Sequence, residues 1–503
     1  MTRSGVIYHL SAIEVTALRF ATAALLRSAR RKAACLFSGL FLSWYAFAGD
    51  GALPRPLTES LRRAGIPSSA ISVFVQEVDS AKASIQFRAE QPRSPASVIK
   101  LLTTYAALEI LGPAYTWATE AYATAPLVGA YLAGDLILKG YGDPFLVTER
   151  LWTLVQGLRA RGLKHIGGDL VIDNTYFATV PENRGRFDGQ PDRAYNAHPD
   201  ALLVNFQAVQ FTLAPNPPSA SIQVIVQPWP ANLRVKNALR LVTGTCRDPL
   251  SRLQIVISPD KSGSTAFFGG DYPARCGEVT INRVVMPTAA FTYGVFKRLW
   301  LDLGGVLDGG FRVSSTPAQA RRIYAIESHP LAELIRGINK YSNNVMTGQL
   351  LLTLGAERLG APGSKEKGIT VIELWLNSED LRFPELVLDE GAGLSRKTRI
   401  GAKSLGRLLL RAYRSPYMPE FLSSLPIAGI DGTLRNRLNK EPITGRAHLK
   451  TGQIDGVASI AGYVQTRRGQ TLAAVCLINH HGSHLGGGKK VHDALLRWLY
   501  EHG

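Results

Sequence analysis

Ser97 and Lys100 stand three residues apart and could form a nucleophile together with its base. Beyond Ser97 the apolar residues recur at helical spacing up to Leu108, and Gly112 and Pro113 form a stop signal. The sequence therefore predicts a buried helix with Ser97 in its first turn and Lys100 on the same face. A serine hydroxyl needs a base within hydrogen-bonding reach, and a lysine amine can serve once burial or a second cation lowers its pKa. The alternative is a helix cap beside a solvated lysine, because S-x-x-K alone is common.

Two polar residues, Ser342 and Asn344, interrupt the apolar helical pattern of residues 330–359. Polar side chains at such positions lower the stability of the fold, so they indicate a functional role. Ser342 could relay a proton through its hydroxyl, and Asn344 could orient a lysine or a substrate carbonyl. The alternative is an ordinary helix start with Ser342 or Asn343 as its cap.

A Lys-Thr-Gly-Gln segment at residues 450–453 precedes a predicted hairpin of buried strands, residues 457–464 and 470–477. Lys450 and Thr451 offer a cation and a hydroxyl to a substrate carboxylate. Gly452 lets a ligand approach the strand backbone closely, and an extended peptide could pair with that strand. Alone, these residues are a weak signal, so their meaning depends on Ser97 and Ser342.

The elements that must position these groups predict an α+β fold. Helical patterns occupy residues 57–64, 97–108, 291–303, 330–359, 401–412 and 491–502. Residues 116–286 instead alternate short strands with turns rich in Pro and Gly, and carry one helix at 147–162. This order predicts a domain with an antiparallel sheet flanked by helices, formed by residues 49–115 and 287–503 and split by a β-rich insert at 116–286.

Residues 1–48 have the pattern of a secretory signal peptide. A basic cluster at residues 27–32 precedes an apolar run that ends in Ala46-Phe47-Ala48, and the run is too short to span a bilayer comfortably. We therefore expect export to the bacterial periplasm. Without this segment the net charge falls from +18 to +13, which predicts affinity for anionic wall polymers or membrane surfaces. No nucleic-acid-binding motif occurs in the sequence, and an exported protein rarely meets nucleic acid.

Three cysteines follow the predicted signal peptide. Cys246 and Cys276 could form a disulfide in an oxidising compartment, with Cys476 buried in a strand, and three free thiols are the alternative. The three histidines of residues 480–484 have no acidic ligand nearby in the sequence, so we predict no metal site and no cofactor. The basic clusters at 396–399 and 435–437 are interpreted as solvated surface, with contact to an acidic peptide as the alternative.

Taken in the order S-x-x-K, S-x-N and K-T-G, the three polar groups resemble the set of the serine acyl-transferases that react with penicillin. The long separation of Ser97 from Ser342, filled by the β-rich insert, is similar to that of the D-alanyl-D-alanine carboxypeptidase/endopeptidase family of low-molecular-mass penicillin-binding proteins (the peptidase S13 type). Other stretches that resemble this family are residues 142–144, 173–177, 203–206, 424–434 and 461–464. The resemblance covers nearly all of the chain after residue 48 and implies the β-lactamase/transpeptidase-like fold.

The resemblance also implies a serine mechanism without a metal or cofactor. Lys100 would take the proton of Ser97, which attacks the carbonyl between two D-alanines or at the D-alanine end of a peptide cross-link. Ser342 would pass a proton to the leaving amine, and Asn344 would position Lys100 and the substrate. Peptidoglycan peptides and β-lactam antibiotics are the implied ligands.

The same resemblance assigns the substrate-binding groups. Lys450 and Thr451 would hold the substrate carboxylate, and the backbone N–H groups of Ser97 and Gln453 would stabilise the oxyanion. Gly452 completes the strand segment. Two departures bear on substrate preference: Gln453 replaces a residue that often carries a small hydroxyl, and Glu-Gly-Ala-Gly-Leu-Ser at 390–395 replaces Asp-Gly-Ser-Gly-Leu-Ser.

Three rival functions remain open. A β-lactamase would share acylation but must deacylate quickly, and the sequence shows Asn343 in place of Asp and no obvious dedicated glutamate for that step. A D-amino-acid amidase or esterase could use the same scaffold. A non-catalytic wall-binding protein would keep only the fold, and the intact Ser97 and Lys100 argue against it.

Overall fold

The structure, a computed structural model, describes residues 51–179, 183–260 and 262–503. The predicted signal peptide, residues 1–48, lies outside these ranges. Within them, no helix combines the length and the apolar character that a membrane span requires.

The described ranges contain ten α-helices. They are α1 (Arg55–Arg63), α2 (Lys100–Leu111), α3 (Thr148–Ala160), α4 (Thr288–Asp302), α5 (Leu331–Tyr341), α6 (Asn344–Leu359), α7 (Lys365–Ser378), α8 (Ala402–Tyr413), α9 (Met418–Ser424) and α10 (Gly487–His502). Each predicted helical pattern corresponds to one helix, except that residues 330–359 form two. Helices α7 and α9 have no predicted counterpart.

The same ranges contain twenty β-strands. They are β1 (Ile71–Glu77), β2 (Ala83–Phe87), β3 (Ala118–Ala123), β4 (Leu127–Val128), β5 (Tyr131–Leu132), β6 (Leu136–Gly140), β7 (His165–Ile166), β8 (Leu170–Asp173), β9 (Val209–Asn216), β10 (Ser221–Gln227), β11 (Leu233–Val242), β12 (Leu253–Pro259), β13 (Ser264–Pro273), β14 (Val279–Arg283), β15 (Val306–Leu307), β16 (Phe311–Val313), β17 (Arg321–Glu327), β18 (Ala447–Ile454), β19 (Val457–Gln465) and β20 (Thr471–Asn479).

The main sheet is antiparallel and has the strand order β18-β19-β20-β1-β2. Because strands bury alternate residues on opposite faces, it separates two apolar cores. One core contains α2, α5 and α8, and the other contains α1 and α10. Strand β18 pairs with β19 alone among the described strands, so it is an edge strand of the main sheet. The predicted antiparallel sheet flanked by helices is confirmed.

Helix α2 lies at the centre of the first core and is buried from Lys100 to Leu108. It is apolar on nearly every side, which is typical of a helix surrounded by protein. It ends at Gly112, whose φ of +84° is a conformation that glycine adopts without strain. The four residues before it, Ala96–Ile99, form a 3₁₀ turn, so Ser97 lies just before the α-helix and not within its first turn.

Strands β3 to β17 form the other four sheets, which belong to a separate apolar core. Cys246 and Cys276 form a disulfide there, so of the two possibilities that the sequence left open the three free thiols are excluded, and Cys476 is a free thiol buried in β20.

The structure also bears on the predicted end of the insert at residue 286. Strands β15, β16 and β17 follow that residue but pair with β7, β8 and β3 of the inserted region. Helix α4 contributes Phe291, Phe296 and Trp300 to the same separate core. We therefore propose that the inserted region extends to Glu327, since its sheets are incomplete without these strands.

Candidate active site

Ser97 and Lys100 are in direct contact, with 3.0 Å between Lys100 Nζ and Ser97 Oγ. The 3₁₀ turn runs directly into α2, which brings the two side chains onto one face. Lys100 has no exposed surface, so the alternative of a solvated lysine is wrong. Burial lowers the pKa of Lys100 to about 7, although the Glu390 carboxylate acts to raise it. Near neutral pH a large share of Lys100 is therefore a free amine that can accept a proton.

Residues 342–344 turn the predicted single helix into two helices. Ser342 ends α5 in the left-handed conformation, with φ of +58°, and Asn343 caps α6 by accepting a hydrogen bond from Met346 N at 3.0 Å. A left-handed non-glycine residue costs on the order of 1 kcal/mol or more, and such strain is concentrated at functional sites. The prediction of one helix over 330–359 is therefore wrong, and the break lies at the residues singled out for chemistry.

The two sides of this break contact two different lysines. Asn344 Oδ1 accepts a hydrogen bond from Lys100 Nζ at 2.7 Å, and Ser342 Oγ accepts one from Lys450 Nζ at 2.8 Å. Lys450 is fully buried and also donates to the Thr451 carbonyl at 2.6 Å. Burial, together with the positive charge of Lys100, holds the pKa of Lys450 well below its usual range.

The edge strand β18 passes very close to the turn that holds Ser97. A Cβ atom at Gly452 would lie 2.6 Å from Pro95 O and 2.9 Å from Ser97 N, closer than such atoms approach in proteins. Only glycine fits there. Ser97, Ser342, Thr451, Gly452 and Gln453 consequently line one cavity of about 420 Å³.

The structure thus brings all eight predicted site residues into one region. Lys100 and Asn344 lie beneath the cavity and reach it through their hydrogen bonds to Ser97 and to each other. Lys450 lies beneath it in the same way, next to Ser342.

The segment 390–395 contributes groups to which the sequence analysis gave no role. The Ala392 carbonyl accepts hydrogen bonds from Lys100 Nζ and, at 3.4 Å, from Ser97 Oγ. Glu390 is largely buried, and its Oε2 accepts a hydrogen bond from Ala392 N at 2.9 Å. The Gly391 carbonyl accepts one from Thr103 Oγ1 of α2 at 2.9 Å. The similarity of this segment to the family was the available signal.

Three further residues around the cavity differ from expectation or were missed. The Tyr195 carbonyl, from the inserted region, accepts a hydrogen bond from Asn344 Nδ2 at 3.3 Å. Thr451 Oγ1 donates to Thr433 Oγ1 at 2.9 Å. Arg437 was interpreted as solvated surface, but it is only 8% exposed, because its Nε pairs with Asp493 Oδ1 at 2.6 Å. The interpretation is therefore wrong for Arg437, whereas its neighbour Arg435 is exposed.

The described ranges contain no group of three or more His, Cys, Asp or Glu side chains placed to hold a metal ion. A serine–lysine pair with a second lysine can perform acyl transfer with its own side chains.

Comparison with known proteins agrees with this geometry. The model of the D-Ala-D-Ala carboxypeptidase 3 (S13) family matches residues 55–501. A D-alanyl-D-alanine carboxypeptidase of Actinomadura sp. (strain R39) is 29% identical over 400 residues, which is 77% of this chain and 74% of that protein. D-alanyl-D-alanine carboxypeptidase DacB of Haemophilus influenzae is 25% identical over 77% of this chain and 81% of that protein.

Among solved structures, penicillin binding protein 4 from Haemophilus influenzae superposes with a TM-score of 0.74 at 22% identity, over 88% of this chain and 99% of that one. A structure of that protein complexed with a β-lactam superposes with a TM-score of 0.70 over the same shares of the two chains. The predicted fold class and the predicted enzyme class, a D-Ala-D-Ala carboxypeptidase, are confirmed. The chain belongs to the D-Ala-D-Ala carboxypeptidase 3 (S13) family.

Proposed function

We propose that this protein is an exported D-Ala-D-Ala carboxypeptidase and endopeptidase that cleaves peptidoglycan stem peptides and cross-links through an acyl-enzyme on Ser97. The observation that supports it best is the contact of Ser97 Oγ with a fully buried Lys100 whose pKa is lowered to about 7. Such an amine can activate a serine at neutral pH, whereas an ordinary lysine is protonated there.

Acylation begins with proton transfer from Ser97 Oγ to Lys100 Nζ over 3.0 Å. The oxygen then attacks the carbonyl carbon of the penultimate D-alanine. Asn344 fixes the amine from the other side through its 2.7 Å hydrogen bond. The backbone N–H groups of Ser97 and Gln453 would hold the oxyanion, since β18 runs directly past the 3₁₀ turn that contains Ser97.

The leaving amine needs a proton, and Ser342 is the group to provide it. Its hydroxyl accepts a hydrogen bond from Lys450 Nζ, which can replace the proton that the hydroxyl gives away. Thr451 lines the cavity and offers the hydroxyl that a terminal carboxylate requires, and Lys450 lies directly beneath it. Water then attacks the acyl carbonyl carbon and the bond to Ser97 Oγ breaks. Lys100 returns its proton to Ser97 Oγ, and the proton that water releases goes back through Ser342 to Lys450.

The test is covalent labelling of the mature protein with a fluorescent penicillin, with a Ser97→Ala variant alongside. Ser68→Ala is the matched control, because Ser68 is an exposed serine in a separate 3₁₀ turn. We expect stable labelling of wild type and S68A and none of S97A. Labelling of S97A, or no labelling of folded wild type, would contradict the proposal. Rapid turnover of the penicillin would instead favour a β-lactamase.

Peptidase specificity and export have separate readouts. Release of D-alanine from a pentapeptide measures carboxypeptidase action, and conversion of a cross-linked dimer into monomers measures endopeptidase action. We expect both with wild type and neither with S97A.

Export after residue 48 is supported by the Ala46-Phe47-Ala48 pattern, and the N-terminal sequence of the periplasmic protein should begin at Gly49.

A further inference from the structure

The active-site cavity continues past Thr451 and Gln453 into a rear pocket at the N-terminus of α10. We define the rear pocket by Arg437, Ser483, His484, Lys489 and His492, which line the same cavity as Ser97. At about 420 Å³ the whole cavity falls in the size range of ligand-binding clefts. The proposed mechanism uses only its front part.

The rear pocket contains buried polar atoms with nothing to bind. Ser483 is 1% exposed and His492 is 2% exposed, and Ser483 Oγ and His492 Nε2 lack hydrogen-bond partners among the described residues. An unsatisfied buried polar atom costs roughly 1–3 kcal/mol, so native structures rarely retain one without a use. Burial and the charge of Arg437 hold the pKa of His492 well below its usual range, so its ring is neutral and can donate from one nitrogen.

The rear pocket presents a helix N-terminus and two basic side chains, of which Arg437 is paired with Asp493 and Lys489 is exposed. Helix α10 has sixteen residues and begins with Gly487 after the N-cap Gly486, so no side chain caps its first N–H groups. Gly488 lets this end contact the sheet, since a Cβ atom there would lie 2.5 Å from Ala458 Cβ. Arg437 is held in place, with Nε on Asp493 and Nη2 on the Lys489 carbonyl at 3.0 Å. Lys489 adds an exposed ammonium group at the rim.

We propose that the rear pocket is a leaving-group subsite that binds a second carboxylate, in addition to the one at Thr451. This inference rests on the proposed function, which puts the scissile carbonyl at Ser97 and the first carboxylate beside Lys450 and Thr451. Arg437 and Lys489 line the cavity together with Thr433, which contacts Thr451, so groups that extend from the first carboxylate toward them belong to the leaving side. A released D-alanine ends at the first carboxylate, whereas a strand released from a cross-link extends further and carries additional carboxylates. The rear pocket thus selects anionic leaving strands.

The experiment compares two substrates that differ only in one charge. N-acyl-D-Ala-D-Glu and N-acyl-D-Ala-D-Gln release leaving groups of the same size, but only D-Glu has a side-chain carboxylate. We expect wild type to show a kcat/KM that is about tenfold higher for the D-Glu substrate at low ionic strength, and less at high salt. Rates are divided by the concentration of enzyme that the fluorescent penicillin labels, which corrects for misfolded protein.

Two neighbouring lysines provide the matched variants. Lys489→Gln removes the charge at the rim, and we expect its D-Glu/D-Gln ratio to fall to about 1–3. Lys490→Gln removes an equal charge one residue away, where Lys490 instead lines the groove between α1 and α10, and we expect it to keep the wild-type ratio.

The outcomes separate this inference from the proposed function. A wild-type ratio near or below 1, with both substrates cleaved and penicillin bound, overturns the subsite and leaves the proposed function intact. Equal loss of the ratio in K489Q and K490Q also overturns it, because a general field of the surface would then be responsible. No cleavage of either substrate and no labelling would overturn the proposed function itself.

Discussion

The candidate site concentrates three ionisable side chains, the fully buried Lys100 and Lys450 and the partly buried Glu390. Burial disfavours the charged form of each, which lowers the pKa of both lysines and raises that of the glutamate. The two ammonium groups oppose each other, while Glu390 favours the charged form of Lys100. Glu390 Oε2 accepts a hydrogen bond from Ala392 N, whereas Oε1 has no hydrogen-bond partner among the described residues, and the carboxylate acts on Lys100 through its charge. The carboxylate therefore tunes how easily Lys100 gives up its proton.

The first prediction concerns the pH dependence of acylation. Below pH 7 Lys100 is protonated and cannot accept the Ser97 proton, whereas above it the free amine predominates. The second-order rate constant for penicillin acylation should therefore rise about tenfold per pH unit below 7 and level off above it. Stopped-flow labelling between pH 5 and 9 measures it. A flat profile, or a rise centred near the ordinary lysine pKa, would contradict the role of Lys100 as base.

A Glu390→Gln variant tests whether the Glu390 carboxylate raises the pKa of Lys100. Removal of the carboxylate takes away the interaction that raises the pKa of Lys100, so the ascending limb should move to lower pH. Glu366→Gln, an exposed change on α7, should leave the limb where it is. Movement of the E390Q limb to higher pH would mean that Glu390 acts on Lys100 in some other way.

At the scale of elements, local contacts could be predicted from sequence and long-range backbone contacts could not. Ser97 and Lys100 are three residues apart, so a helical pattern alone brings them together. An apolar periodic run favours one continuous helix, so the break was predicted only as the alternative of a helix start, and the Asn343 cap of that alternative is confirmed. The contacts to Lys100 and Lys450 add to this local cap in favouring two helices. The Ala392 carbonyl was missed for a related reason, since any residue type presents a carbonyl.

The close approach of β18 to the 3₁₀ turn that contains Ser97 gives a further prediction. Gly452→Ala would add a carbon 2.6 Å from Pro95 O and 2.9 Å from Ser97 N, both of them backbone atoms that cannot rotate away. Overpacking of this kind costs about 1–3 kcal/mol, and the strand must move away from Ser97. We expect the acylation rate constant to fall at least tenfold and the melting temperature to fall by a few degrees, about what that cost implies. Labelling kinetics and calorimetry measure the two effects.

Gly310→Ala is the matched control for that variant. A Cβ atom at Gly310, in the inserted region, would contact only Asp169 Oδ1 at 4.0 Å, so this change should affect neither quantity. Acylation of G452A at the wild-type rate would contradict the importance of close approach between the strand and the turn.

At the scale of the whole molecule, most buried apolar residues belong to the two cores of the main sheet or to the core of the inserted region, and a small fourth cluster joins that region to Val345 of α6. All eight predicted site residues belong to segments that build the main sheet and its helices. In the candidate site, the inserted region contributes the Tyr195 carbonyl, and its disulfide lies near the ends of β11 and β13. The switch between helical and strand patterns predicts this division, but the end that we propose for it, at Glu327, depends on pairings between strands far apart in sequence.

The last prediction follows from this division. The Cys246–Cys276 bond closes a loop with a sequence separation of 30, and its loss should cost the inserted region about 3–4 kcal/mol of stability through the greater freedom of the unfolded chain. Because the strands next to the disulfide pack in the core of the inserted region, a Cys246→Ser/Cys276→Ser double variant should become more sensitive to proteolysis within residues 243–276 while penicillin labels it at a rate within about twofold of wild type. Cys476→Ala, which leaves the disulfide intact, should keep the wild-type proteolysis pattern. Loss of labelling in parallel with proteolysis would mean that the two regions unfold together, and the site would then depend on the insert for its stability as well as for the Tyr195 contact.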